Sequence, residues 1–178
     1  MFQIATEKYD KCKKQYEDGS IRQMLKNLES VKQDCVWLEE AISKFGTISY
    51  GPDIDPNMFQ MVDNPSFKTV ATSRTELRKF LEKNKHLKVL VVYVFAGHGI
   101  ERGEQVIVLN EYDKNEGFYK CWKTENMIRS LAEKFENSFH LAFYACCREA
   151  HAPDRHCGGF TGTDEEVAKQ AALAKKSA

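Results

Sequence analysis

The sequence predicts an α/β domain, a three-layer α/β/α sandwich on a mainly parallel sheet. Three observations predict it. Val89 to Phe95 is an unbroken apolar run, mostly β-branched or aromatic, which reads as a strand buried on both faces. Phe139 to Ala145 is a second run of the same character. Stretches with apolar residues at helical spacing alternate with the strand-like runs, and such alternation places helices on both faces of a parallel sheet.

Taken in order, Phe2 to Ala5 reads as a short first strand, stunted for a central position. Lys8 to Asn27 is a polar, lysine-rich connection with helical turns expected around Ile21 to Leu25. Ser30 and Gln33 have the spacing of a capping box. Val31, Cys35, Leu38, Ile42 and Phe45 then mark one apolar stripe of a helix, with Gly46 at its end. Thr47 to Tyr50 reads as a strand. Gly51 to Val70 holds Pro52, Pro56 and Pro65 and reads as a long surface loop. Ser73 and Glu76 form a second capping box, before a helix ending near Lys85. The run from Val89 follows. Gln105 to Leu109 and Phe118 to Trp122 suggest a hairpin. Thr124 reads as the N-cap of a helix with Met127, Ile128, Leu131 and Phe135 inward. The strand from Phe139 comes last. Residues 1–149 thus form the main domain. Residues 150–178 form an irregular segment and a short Ala/Lys-rich C-terminal helix.

Composition narrows the function. The 178 residues carry 26 basic and 26 acidic side chains, which lacks the basic footprint of a nucleic-acid binder. No apolar run approaches the roughly 18 residues of a membrane span, and the N-terminus lacks the pattern of a signal peptide. The expectation is a soluble, cytoplasmic protein with its six cysteines reduced.

The chemistry gathers at two strand ends. The run from Val89 closes in Ala96-Gly97-His98-Gly99, and the run from Phe139 closes in Cys146-Cys147-Arg148. Ligands and chemistry in an open parallel sheet lie beyond the carboxyl ends of its strands. A thiol attacks a carbonyl as thiolate, and a nearby imidazole both lowers the thiol pKa and carries the proton to the leaving amine. His98 is the candidate acid/base and Cys147 the candidate nucleophile, with Cys146 the alternative. The backbone N–H groups of Gly99 and Cys147 are candidates for an oxyanion hole. A zinc cluster of Cys146, Cys147, His151, His156 and Cys157 has suitable ligand types but not the usual paired spacing.

These residues resemble a known family. Phe95-Ala96-Gly97-His98-Gly99 is similar to the strand-Ser-Gly-His-Gly element of the caspase-like cysteine proteases: caspases, metacaspases and paracaspases. Tyr144-Ala145-Cys146-Cys147-Arg148 resembles both the Asp-Cys-Cys-His-Ser-Gly of metacaspases and the Gln-Ala-Cys-Arg-Gly of caspases, 49 residues downstream when His98 is counted to Cys147. Both alignments place the nucleophile at Cys147 and the acid/base at His98. The likeness covers residues 2–149, the family's large-subunit region. Ala96 stands for the motif serine, and Ala145 for the metacaspase Asp or caspase Gln. The resemblance implies a caspase-like fold and a cysteine endopeptidase acting on polypeptides. It implies no cofactor for the chemistry and, as in metacaspases, calcium as an activator. No full small subunit follows Cys147. The resemblance thus also implies a small-subunit partner or a homodimer through the last strand's exposed edge, and, as the alternative to a protease, an inactive module that pairs with an active homologue.

Overall fold

Strand β1 (Phe2–Ala5) lies inside a parallel sheet, between β4 (Gln60–Met61) and β5 (Val89–Gly97), and β9 (Ser138–Cys146) follows on the far side of β5. The computed structural model describes residues 1–15, 17, 19–23, 25–45, 60–61, 63–101, 105–113, 118–146 and 159–160. Despite its four residues, β1 is wholly buried and paired on both sides, contrary to the expectation that its length made it stunted for a central place. A short strand suffices because Phe2 and Ile4 fill one face while Ala5 packs on the other.

Helix α1 (Val31–Ser43) covers one face, where Val31 and Cys35 meet Ala5, Val94 and Ala96. Helices α2 (Phe67–Lys83) and α3 (Thr124–Lys134) cover the other, packing Leu77, Leu81, Met127 and Leu131 against Phe2, Tyr93 and Phe95. Burying side chains of this size contributes about 1.5–3 kcal/mol each. The three layers are those expected.

A second sheet stands beyond the carboxyl end of β5. Strand β6 (Gly99–Glu101) pairs antiparallel with β7 (Gln105–Asp113), which pairs antiparallel with β8 (Phe118–Lys123). This is the expected hairpin, extended by one strand at the near side. Strand β10 (Gly159–Phe160), inside the segment expected to be irregular, joins β8 in parallel.

Several local expectations are corrected. The polar connection from Lys8 contains strands, β2 (Lys13–Gln15) and β3 (Ile21–Gln23), rather than helical turns. Ser30 is left-handed (φ 71°) and its side chain caps nothing, so the Ser30/Gln33 box is not made. The helix stops at Ser43, and Phe45 is 94% exposed instead of closing the stripe. Helix α2 starts at Phe67, where Ser66 Oγ accepts from Thr69 N–H at 3.1 Å; Ser73 is a buried interior residue. Ser66 is followed three residues on by Thr69 rather than Glu or Gln, so it caps the helix without the capping-box spacing that marks Ser73 and Glu76. Thr124 is the first helical residue after an Lys123 N-cap, and its hydroxyl donates to Gln105 C=O at 2.9 Å. Strand β9 is not buried on both faces: Phe139 and Leu141 are about half exposed. Thr47 to Tyr50, half of the 51–70 loop and the C-terminal helix lie outside the described residues; the described half holds β4 and the first turn of α2, so that segment is not loop throughout. No helix among the described residues is long and apolar enough to cross a membrane.

Candidate active site

Strand β5 carries His98 to the carboxyl edge of the sheet, as its sequence predicts. The parallel register with β9 is unbroken over nine pairs and ends at Gly97 opposite Cys146. Side chains alternate across it. Ala96 and Ala145, partners in register, both pack in the cluster beneath α1. Tyr144 and Cys146 pack on the opposite, α2/α3 face.

Cys146 is thus turned toward the core. Gln105 Nε2 donates to its sulfur at 3.6 Å. Gln105 is itself held by Thr124, whose hydroxyl also meets Tyr144 Oη at 3.0 Å. Cys147 lies outside the described residues, as do His151, His156 and Cys157. Among the described residues no group of three or more His, Cys, Asp or Glu could hold a metal ion, calcium included.

His98 is half-buried and held at four points. Its N–H donates to Tyr9 Oη at 2.8 Å, and its C=O accepts from Val108 N–H at 3.0 Å. Its ring stands edge-on to the Tyr9 ring at 4.7 Å between centroids. Its Nε2 lies 2.9 Å from the Lys26 carbonyl oxygen. A carbonyl only accepts, so Nε2 carries the proton and, in the neutral ring, Nδ1 carries the lone pair. A backbone carbonyl therefore fixes the tautomer here, a part that a carboxylate plays elsewhere.

Gly99 opens β6 opposite Ile107. Because Val108 N–H donates to His98 C=O, Gly99 and Ile107 form the non-hydrogen-bonded kind of antiparallel pair. The Gly99 N–H is then directed away from β7. Gly97 supplies the bend before His98 at φ +137°, and a Cβ there would meet Tyr9 Oη at 2.7 Å and Thr6 O at 2.9 Å.

The remaining features lie apart. Burial, aided by Asp34 and Glu39, pushes the Cys35 thiol up to about 11, which makes it a poor nucleophile near neutral pH. A cavity of about 340 Å³ lined by Leu81, Lys85, Val89, Phe135 and Ser138 lies at the amino ends of β5 and β9, opposite to His98. Sequence reasoning missed Tyr9, the Lys26 carbonyl and Gln105. Tyr9 and Cys12 were detectable only as isolated apolar residues in a polar stretch, and a backbone acceptor leaves no mark in sequence.

A parallel sheet whose inner strand ends at Gly97, just before His98, beside a strand that ends at Cys146, defines a three-layer α/β domain. The sequence model of the caspase domain, a family of cysteine peptidases, matches residues 10–177, nearly the whole chain. The chain belongs to that family. Neither the curated proteins nor the solved structures gave a match.

Proposed function

We propose that the chain is a cysteine endopeptidase in which His98 and Cys147 form the dyad. The observation that carries this reading is the register of β5 and β9. Its last pair is Gly97 and Cys146, so His98 and Cys147 each follow in sequence the last paired residue of two neighbouring strands. Two further observations support it. Cys146 is committed to the core, which leaves the neighbouring thiol for chemistry. Ala96 and Ala145, the last residues of β5 and β9 on the α1 face, are both small, which leaves room beside His98 on that side of the sheet end.

The reaction then runs as follows. The Cys147 thiol proton passes to His98 Nδ1, while Nε2–H stays on the Lys26 carbonyl. The thiolate adds to the peptide carbonyl carbon, and the displaced electron pair moves to oxygen. That oxyanion accepts from the N–H groups of Gly99 and Cys147. The imidazolium donates its proton to the departing amine as the C–N bond breaks, leaving a thioester. Water, deprotonated by His98, adds to the thioester; the C–S bond breaks and the acid is released.

The test is cleavage of peptides with basic or acidic residues before the scissile bond, with and without calcium, by wild type, Cys147→Ala and His98→Ala. Loss of at least about a hundredfold in both variants is expected. A wild-type rate in Cys147→Ala would overturn the assignment.

A second reading, an inactive caspase-like module that binds an active homologue, is favoured by the sheet edge. Among the described residues β9 has one strand neighbour, β5. The strand contains no Lys, Arg, Asp, Glu or Pro, the residues that usually guard an edge. On its α1 face Leu90, Phe139 and Leu141 are 60%, 56% and 47% exposed, with Leu90 and Phe139 paired in register. Either reading takes a partner there, a small-subunit-like chain or a second copy. Leu141→Lys should weaken association in sedimentation runs of the chain alone and with an active homologue. A wild type that stays monomeric in both would remove the partner surface.

A further inference from the structure

We infer that Tyr9 is a positioning residue for His98, setting the imidazole in the geometry the dyad needs; this rests on the peptidase reading above. Tyr9 comes from the connection after β1, far from the catalytic motifs in sequence, and is fully buried. Its hydroxyl does two things at once. It accepts the His98 N–H at 2.8 Å and donates to the Thr6 carbonyl at 3.0 Å. Thr6 N–H donates in turn to Ala96 C=O at 3.0 Å. The result is a closed ring of hydrogen bonds through Thr6, Tyr9, His98 and Ala96. It spans the bend at Gly97, where β5 has run out of regular pairing with β1.

The Tyr9 ring supplies the second constraint, standing edge-on to the imidazole. The segment that holds Tyr9 also holds the carbonyl that fixes the tautomer. Tyr9 N–H donates to Asn27 Oδ1 at 2.7 Å, and Leu28 N–H donates to Glu7 C=O at 2.8 Å, both immediately after Lys26, whose carbonyl bonds Nε2. Main chain, ring plane and proton of His98 are therefore all referred to one clamp. A displacement of the base by a fraction of an ångström weakens proton transfer without touching substrate binding.

Tyr9→Phe keeps the ring and removes the hydroxyl. In the full chain kcat should fall about tenfold with KM unchanged. Reaction of Cys147 with iodoacetamide, well below the ordinary thiol pKa of about 8.5, should slow by about the same factor, while the rate at alkaline pH, where the thiol ionises unaided, stays at the wild-type value. A purely structural role would lower the amount of folded protein but leave that pH dependence unchanged. A folded Tyr9→Phe with wild-type kcat and a wild-type alkylation profile would overturn the inference. Should Tyr9→Phe fail to fold, 3-fluorotyrosine at position 9 keeps the shape and weakens the hydroxyl as an acceptor; an unaltered profile there would overturn it equally. Failure of the underlying reading looks different, because Cys147 would then alkylate at the same rate in wild type and His98→Ala.

Discussion

Gly97 and Cys146 are the last residues in register between β5 and β9, and they serve opposite ends. Gly97 gives up its side chain so that Tyr9 and Thr6 can close on the backbone before His98. Cys146 sends its side chain to the core beside Tyr144 and Gln105. The strands change there from scaffold to site.

Gly97→Ala should be damaging for two reasons. The φ of +137° is one that side chains rarely adopt, and the new Cβ would stand 2.7 Å from Tyr9 Oη and 2.9 Å from the Thr6 carbonyl. Backbone strain of this kind costs of order 1–3 kcal/mol, and the overlap with a backbone oxygen adds to it. Urea denaturation should show a loss of at least about 2 kcal/mol. A loss under about half a kcal/mol would mean that the bend is not held as described.

Cys146→Ala should leave peptide cleavage within about twofold of wild type, since the thiol packs on the core and accepts from Gln105. Its cost belongs to stability, about 1 kcal/mol for a small, partly buried group. Abolished cleavage with unchanged stability would move the nucleophile from Cys147 to Cys146.

His140 gives the chain a pH dependence on the acid side. Ser138 Oγ donates its proton to Phe135 C=O at 2.6 Å, so it accepts from His140 Nε2–H at 2.8 Å. Tyr93 Oη, 2.8 Å from Nδ1, then donates to it. The neutral ring satisfies both neighbours, and burial holds its pKa below the ordinary 6.5. The unfolded chain takes up a proton at this histidine before the folded chain does. Stability is thus fully present above about pH 6.5 and falls as pH drops below it. Denaturation at pH 7.5 and 5.5, chosen roughly one unit on either side, should show a drop that His140→Gln reduces. An equal drop in the variant would assign it to other groups.

Much of this was legible because burial and period agree. Val89 to Ala96 is apolar, rich in β-branched and aromatic residues and followed by glycine, so strand, depth and end were all readable. Helix α3 was readable from the spacing of Met127 and Leu131. Helix starts failed where spacing alone decided: Ser73 and Glu76 match a capping box, yet packing of Phe67 and Val70 starts the helix a full two turns earlier, at a serine without that spacing. Strands β2 and β3 failed because their residues, Lys-Lys-Gln and Ile-Arg-Gln, carry almost no apolar alternation. At the site, His98 was legible from its flanking glycines. Its holders were not, since one is a carbonyl and the other a tyrosine 89 residues away.

The most direct test of the central claim needs no knowledge of the substrate. Iodoacetamide is applied at about pH 6, well under the ordinary thiol pKa of about 8.5, and the modified cysteine is located by mass spectrometry in wild type and His98→Ala. The account predicts fast, selective modification of Cys147 that slows at least about tenfold when His98 is removed, with Cys35 untouched. Equal rates in the two proteins, or modification spread evenly over the cysteines, would contradict it.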